Sequence, residues 1–302
     1  MSFDNAYEAL TEQNDSRWAF GTGFDDPLSG VDGSVPDGVD GAVLAHYCLA
    51  LGDDALIAAQ RLSEWVTRAP ELEDEVALAN IALDLLGQAR LLLARAGQAD
   101  GSGRGEDSLA YFRDAAEFRN VRLAELPRGD FAEQMARLLV LSSWRLALCA
   151  RLVDSRDPVL AAVAAKSVKE LTYHRDYAAQ WVVRLGDGTA ESHRRMCEGI
   201  AAVRPHLAEL FHTHEIERRA VADGVGVDPA EVRGEVDEVL ARAFAAATLP
   251  HPGTPPAGDE LGRAGEFGRG GEFGRAGEHT EHLVPLLAEM QGLARAHPEA
   301  TW

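Results

Sequence analysis

Between Leu72 and Ala96 apolar side chains run along two sides of one helical period, and few architectures can accommodate such a segment. Val76, Ala79, Leu83, Leu86 and Leu93 line one side; Leu78, Ile81, Leu85 and Leu92 line the other. Recurrence every three or four residues is the period of an α-helix. A helix apolar nearly all round is expected at the centre of a bundle. A helix of similar length precedes it. Leu44, Tyr47, Leu51, Ala55, Ala58, Leu62 and Trp65 form one face of a segment that starts at Gly41 and is closed by Pro70.

The rest of the chain continues the pattern. A third long helix is predicted from Phe131 to about Asp154. A fourth opens with Asp157 as N-cap and Pro158 at its first position and ends at Gly186. Leu109 to Leu126 reads as helical, followed by a turn at Pro127–Asp130. One helix is expected over Ala190–Ala222, one from Asp228–Pro229 to about Thr248, and a last one from near Glu281 to Ala296. No run of alternating strand residues is found, so the expectation is an all-α chain of long antiparallel helices with extra C-terminal helices.

Two segments stand apart. Residues 1–40 are rich in Gly, Asp, Ser and Asn and read as a disordered tail, with only Trp18, Phe20 and Phe24 able to dock it. The helical domain spans 41–302, interrupted by a flexible Pro/Gly-rich insertion at 249–278. That insertion carries a six-residue repeat in three copies, beginning at Gly262, Gly268 and Gly274.

The charge narrows function. With 29 Lys and Arg against 49 Asp and Glu, the formal net charge is −20. Such a field repels phosphates and anionic lipid surfaces, which argues against nucleic-acid and membrane partners. Cys48, Cys149 and Cys197 are far apart, odd in number and in apolar helical contexts, so buried reduced thiols are expected. No signal peptide and no apolar run of spanning length is recognised, and the expected location is cytoplasmic.

The chemical question for a bundle is whether its core holds metal. A di-iron carboxylate bundle needs a Glu from each of two helices and a Glu-x-x-His from each of two others, because that spacing puts both ligands on one inward face. On the second helix Asn80, Asp84 and Gln88 make a polar stripe, but Gly87, three residues after Asp84, cannot ligate. On the fourth, Glu170 is followed at that distance by Tyr173, with His174 one residue further on, and Lys166 and Lys169 close by. The expectation is therefore no metal, cofactor or catalytic residue in this chain. Asp84, Gln88, Lys169, Glu170 and His174 are candidates for a buried network in the metal's place. The one literal Glu-x-x-His, Glu209–His212, sits beside His214, Glu215, Glu217, Arg218 and Arg219 and reads as a solvated face. His279, Glu281 and His282 read as cap or interface residues, and Asp53–Asp54 as polar helix positions. No nucleophile elbow or His-paired cysteine is present.

Three stretches carry a resemblance. LGDDALIAAQRLSEWVTRAPELEDEVALANIALDLLGQAR (Leu51–Arg90), RLVDSRDPVLAAVAAKSVKELTYHRDYAAQWVVRLGDGT (Arg151–Thr189) and HTEHLVPLLAEMQ (His279–Gln291) resemble the C subunits of bacterial phenylacetyl-CoA epoxidases. The likeness runs from about Val43 to Trp302 and omits the tail and the repeat. It implies a ferritin-like bundle that pairs with a homologous di-iron A subunit. The other subunits of the multicomponent system, including a flavin and iron–sulfur reductase, complete it. On this resemblance the chain is a structural, non-catalytic member of a monooxygenase. A di-metal oxygenase in its own right is the alternative.

Overall fold

The computed structural model describes residues 28, 30–250 and 273–300. Among them the secondary structure is helical, with no strand. Helices α1 (Gly41–Ser63) and α2 (Leu72–Ala99) form one antiparallel hairpin, and α4 (Phe131–Leu152) and α5 (Pro158–Gly186) form another. Between the hairpins the chain crosses over through α3 (Glu106–Tyr111) and two short 3-10 turns. Two hairpins joined by one long crossover make the ferritin-like bundle. Around it lie α6 (Ala190–Val203) on α4, α8 (Glu215–Ala222) on α1, α9 (Arg233–Ala246) on α4 and α5, and α10 (Leu283–Ala296) on α3; α7 is the single turn Leu207–Leu210.

Local chemistry sets the helix starts. Asp40 caps α1, Asp130 caps α4 and Asp157 caps α5, each side chain accepting an orphan N–H of its first turn. Pro158 follows its cap with the φ a helix needs. Glu73, Asp74 and Glu75 crowd the first turn of α2, where the helix dipole favours acid. At the other end of α2, Gly97 lets the loop approach closely. A Cβ there would stand 1.9 Å from the Arg104 carbonyl oxygen.

Several expectations change. Most of the Val76 side of α2 does not meet a neighbour: Val76 and Leu83 are 53% and 62% exposed and Leu86 faces solvent with them, whereas Leu93 at its far end is buried. The bundle buries the face of Leu78, Ile81, Leu85 and Leu92, together with Leu93. Ala190–Ala222 is broken at Pro205, which forms a 3-10 turn, and again before His214, which opens α8 in a capping box with Glu217. Leu109–Leu126 is not one helix but short helical turns separated by extended backbone, where the N–H groups of Arg119 and Val121 bond to the α1 carboxylates Asp53 and Asp54. Helices α1 and α2 are long and apolar enough, by length and composition, to cross a bilayer, against the expectation that no such run exists. The centre of α1, however, carries the buried carboxylates Asp53 and Asp54.

The expected tail and insertion fall largely outside the described residues, as do Trp18, Phe20, Phe24 and the first two repeat copies up to residue 272. The described parts are docked. The carbonyls of Gly33 and Ser34 accept from Arg95, and the third copy brings Arg275 into the protein, 8% exposed.

Candidate functional site

Polar side chains from all four bundle helices meet in the apolar interior. Arg145 of α4 donates through Nη2 to Gln88 Oε1 of α2 at 2.9 Å, and Gln88 Nε2 donates to Glu170 Oε2 of α5 at 3.0 Å. Lys166, one turn before Glu170, binds its other oxygen. On the α1 side Arg145 Nη1 donates to the Leu51 carbonyl at 3.2 Å and lies 3.8 Å from Asp54 Oδ2. His174, fully buried, joins Asp84 Oδ2 through Nε2 at 3.0 Å. An Arg, a Lys and an amide thus bridge carboxylates across the bundle and satisfy most of the buried polar groups there, with Arg145 Nε and His174 Nδ1 left over.

Four of the five network candidates are placed here: Gln88 and Glu170 in one chain of bonds, Asp84 and His174 in a separate pair. Lys169 is not among them, because it points to solvent while Lys166 reaches Glu170. Asn80 is exposed as well. Arg145 is the residue that sequence reasoning missed. Its only signal is an arginine in the middle of the apolar run of α4.

A second set of ion pairs pins the outer segments to α1. Asp53 receives both terminal nitrogens of Arg113, at 2.5 and 3.0 Å, and the Arg119 N–H at 2.8 Å. Asp54 receives Arg275 at 2.7 and 2.9 Å and the Val121 N–H at 2.8 Å. Arg275 also reaches Glu217 at 3.2 Å. These two carboxylates therefore act as anchors, a role that a reading of them as polar helix positions did not contain. Their partners lie 60 or more residues away, where no local pattern points to them.

Around the Glu209–His212 motif the solvated-face reading holds for His212, Glu215, Arg218 and Arg219, which are exposed, but not for Glu209 and Glu217, which are buried. Glu209 is 4% exposed and accepts the N–H groups of Gly274 at 2.9 Å and Arg122 at 3.1 Å. Burial pushes its carboxyl up to about 7, against the pull of those two donors. His212 and His214 meet edge to face with ring centroids 4.5 Å apart, and both contact Phe273 in the same way; burial takes His214 down to about 4. His279 binds Glu125 at 2.5 Å and the Phe118 carbonyl at 3.0 Å. His282 stands at the N-cap position of α10 without a side-chain cap bond, and its carbonyl accepts from Arg61. The cysteines are free thiols, Cys48 buried and Cys149 and Cys197 half-buried.

Comparison with known proteins assigns the bundle. Residues 37–302 match the model of a family described as phenylacetic acid catabolic protein. The chain belongs to that family. Among its relatives is the C subunit of 1,2-phenylacetyl-CoA epoxidase from Escherichia coli strain K12, 43% identical over 259 residues, which cover 86% of this chain and 99% of the relative. That likeness implies a part in phenylacetate catabolism, within a multisubunit epoxidase.

The resemblance brings a di-iron pair into question, and the residues present do not fit one. Gly87 stands where a ligand would follow Asp84, and Tyr173, 51% exposed, where one would follow Glu170. Glu170 is already held by Gln88 and Lys166, and the Arg145 guanidinium lies in the same seam. Among the described residues no three His, Cys, Asp or Glu side chains gather as a metal site requires.

Proposed function

We propose that this chain is a non-catalytic structural subunit of a phenylacetyl-CoA 1,2-epoxidase, one that pairs with and stabilises a homologous di-iron A subunit. In this reading it holds no metal or cofactor of its own and works in the cytoplasm beside the other subunits, the reductase included. The observation that carries it is the seam of Arg145, Gln88, Glu170 and Lys166. Cations and an amide cross-link the carboxylates that a metal would otherwise need, and an ammonium beside them opposes a divalent ion. The outward side of α2 supports the pairing. Leu72, Val76, Leu83 and Leu86 stand exposed along it, with Tyr173 from α5 also exposed. Large apolar side chains left exposed at helical spacing suit a protein contact.

The test is co-expression with the A subunit followed by size-exclusion chromatography. One heteromer is expected. Separate elution of the two chains, or turnover by this chain with the reductase and no A subunit, contradicts the proposal.

A further inference from the structure

The outward side of α2 carries opposite charge at its two ends. Leu72, Val76, Leu83 and Leu86 stand exposed along it. With Ala79 between them they recur at alternating steps of four and three, the spacing of a seam that one helix offers to another. Helix α5 runs antiparallel beside this seam, because Glu170 meets Gln88 and His174 meets Asp84. Tyr173, exposed, is therefore level with Leu83, and Lys169 is level with the Gln88 turn. At the start of α2 stand Glu71 and Glu73, exposed, and Glu75, half-buried, none of them in an ion pair among the described residues. At the other end Lys169 is exposed and also in no ion pair among the described residues. Lys166 and Arg90 lie beside it, already paired with Glu170 and Glu106. Gly87 sits between these ends. A Cβ there would meet nothing nearer than Lys166 Nζ at 3.9 Å, so the surface is open to a neighbouring helix.

We propose that this face is self-complementary, and that two copies of the chain associate through it about a two-fold axis near Leu83, with the two α2 helices antiparallel. That axis sets Leu83 against its counterpart. It also keeps α5 over α5, so Tyr173 meets its counterpart near the axis and Glu73 comes to the Lys169 end of the other copy. Opposite charges then face each other at both ends of the seam. Parallel pairing would set Glu71, Glu73 and Glu75 against the same three carboxylates, which repel. The seam is one helix wide and about 27 Å long from Leu72 to Arg90, at the rise of an α-helix. Contacts of that size lie at the small end of protein interfaces, so the association is weak and concentration-dependent. The function proposed above gives the same ridge to the A subunit. The second copy is its occupant when that subunit is absent, and a test on this chain alone is independent of that reading.

Sedimentation equilibrium of the full chain alone, at low ionic strength and from low to high micromolar protein, tests it. A monomer–dimer equilibrium is expected. Leu83→Glu should leave only monomer at every concentration. Glu73→Lys and Lys169→Glu should each raise the dissociation constant ~tenfold, because the two-fold axis repeats every lost pair. The double variant, Glu73→Lys with Lys169→Glu, should return it close to the wild-type value, because each reversed end again meets its opposite. Far-UV circular dichroism at low micromolar protein should match the wild type in all four variants, which separates association from folding. A wild type that stays monomeric throughout, a dimer that survives Leu83→Glu, or a double variant no tighter than the single ones overturns the proposal.

Discussion

Single residues in this protein matter most where a charge is buried against one partner. Arg95 and Asp157 are 1% and 0% exposed and bind each other through two nitrogens, while Asp157 also caps α5. Removing the guanidinium leaves a buried carboxylate uncompensated, at a cost of about 3–5 kcal/mol. Arg95→Ala is therefore expected to lower the unfolding free energy by that amount in urea titrations, with the m-value unchanged. Glu209 gives a pH-dependent effect. Its folded-state value of about 7 lies above the ordinary 4.5, so between those values the native chain keeps a proton that the unfolded chain has lost. Stability from this group falls as pH rises from about 4.5 to about 7. Denaturant titrations across that window should show the slope in the wild type and a flatter profile in Glu209→Gln.

Helices were the most legible elements. Pro158 after Asp157, and the periodic faces of α1 and α2, are signals within a few residues of each other, and the structure places these helices close to their sequence bounds. The crossover was not legible. Its backbone is ordered by Asp53 and Asp54, whose donors lie 66 and 67 residues away, so propensity alone suggested a helix. The site was half legible for the same reason. Gln88, Glu170 and His174 stood out as polar residues on apolar faces, but choosing Lys166 over Lys169 requires knowing which way the α5 surface turns. Arg275 lies in a repeat whose composition suggests only a loop, yet it closes two long-range ion pairs. Asp54→Ala should release that segment. Limited trypsin digestion followed by mass spectrometry is expected to cut after Arg275 in the variant and not in the wild type. Equal protection in both would show that Asp54 does not hold the segment.

For the whole molecule, the exposed ridge of α2 and the crowded interior belong to one account. The interior keeps its own carboxylates occupied, and the outside offers apolar surface to another chain. Because Val76 and Leu83 already face solvent, charges there cost the isolated fold little. Val76→Glu with Leu83→Glu should leave the melting temperature within about 2 °C, the shift of a sub-kcal/mol surface change in a domain of this size. It should abolish association with the A subunit. Full-strength association would place the contact elsewhere on the molecule. The central claim, that cations in the seam leave no room for iron, is met most directly by metal analysis of the full-length chain after anaerobic incubation with excess ferrous iron and desalting. The account predicts no stoichiometric iron. Two irons per chain, retained through desalting, would contradict it.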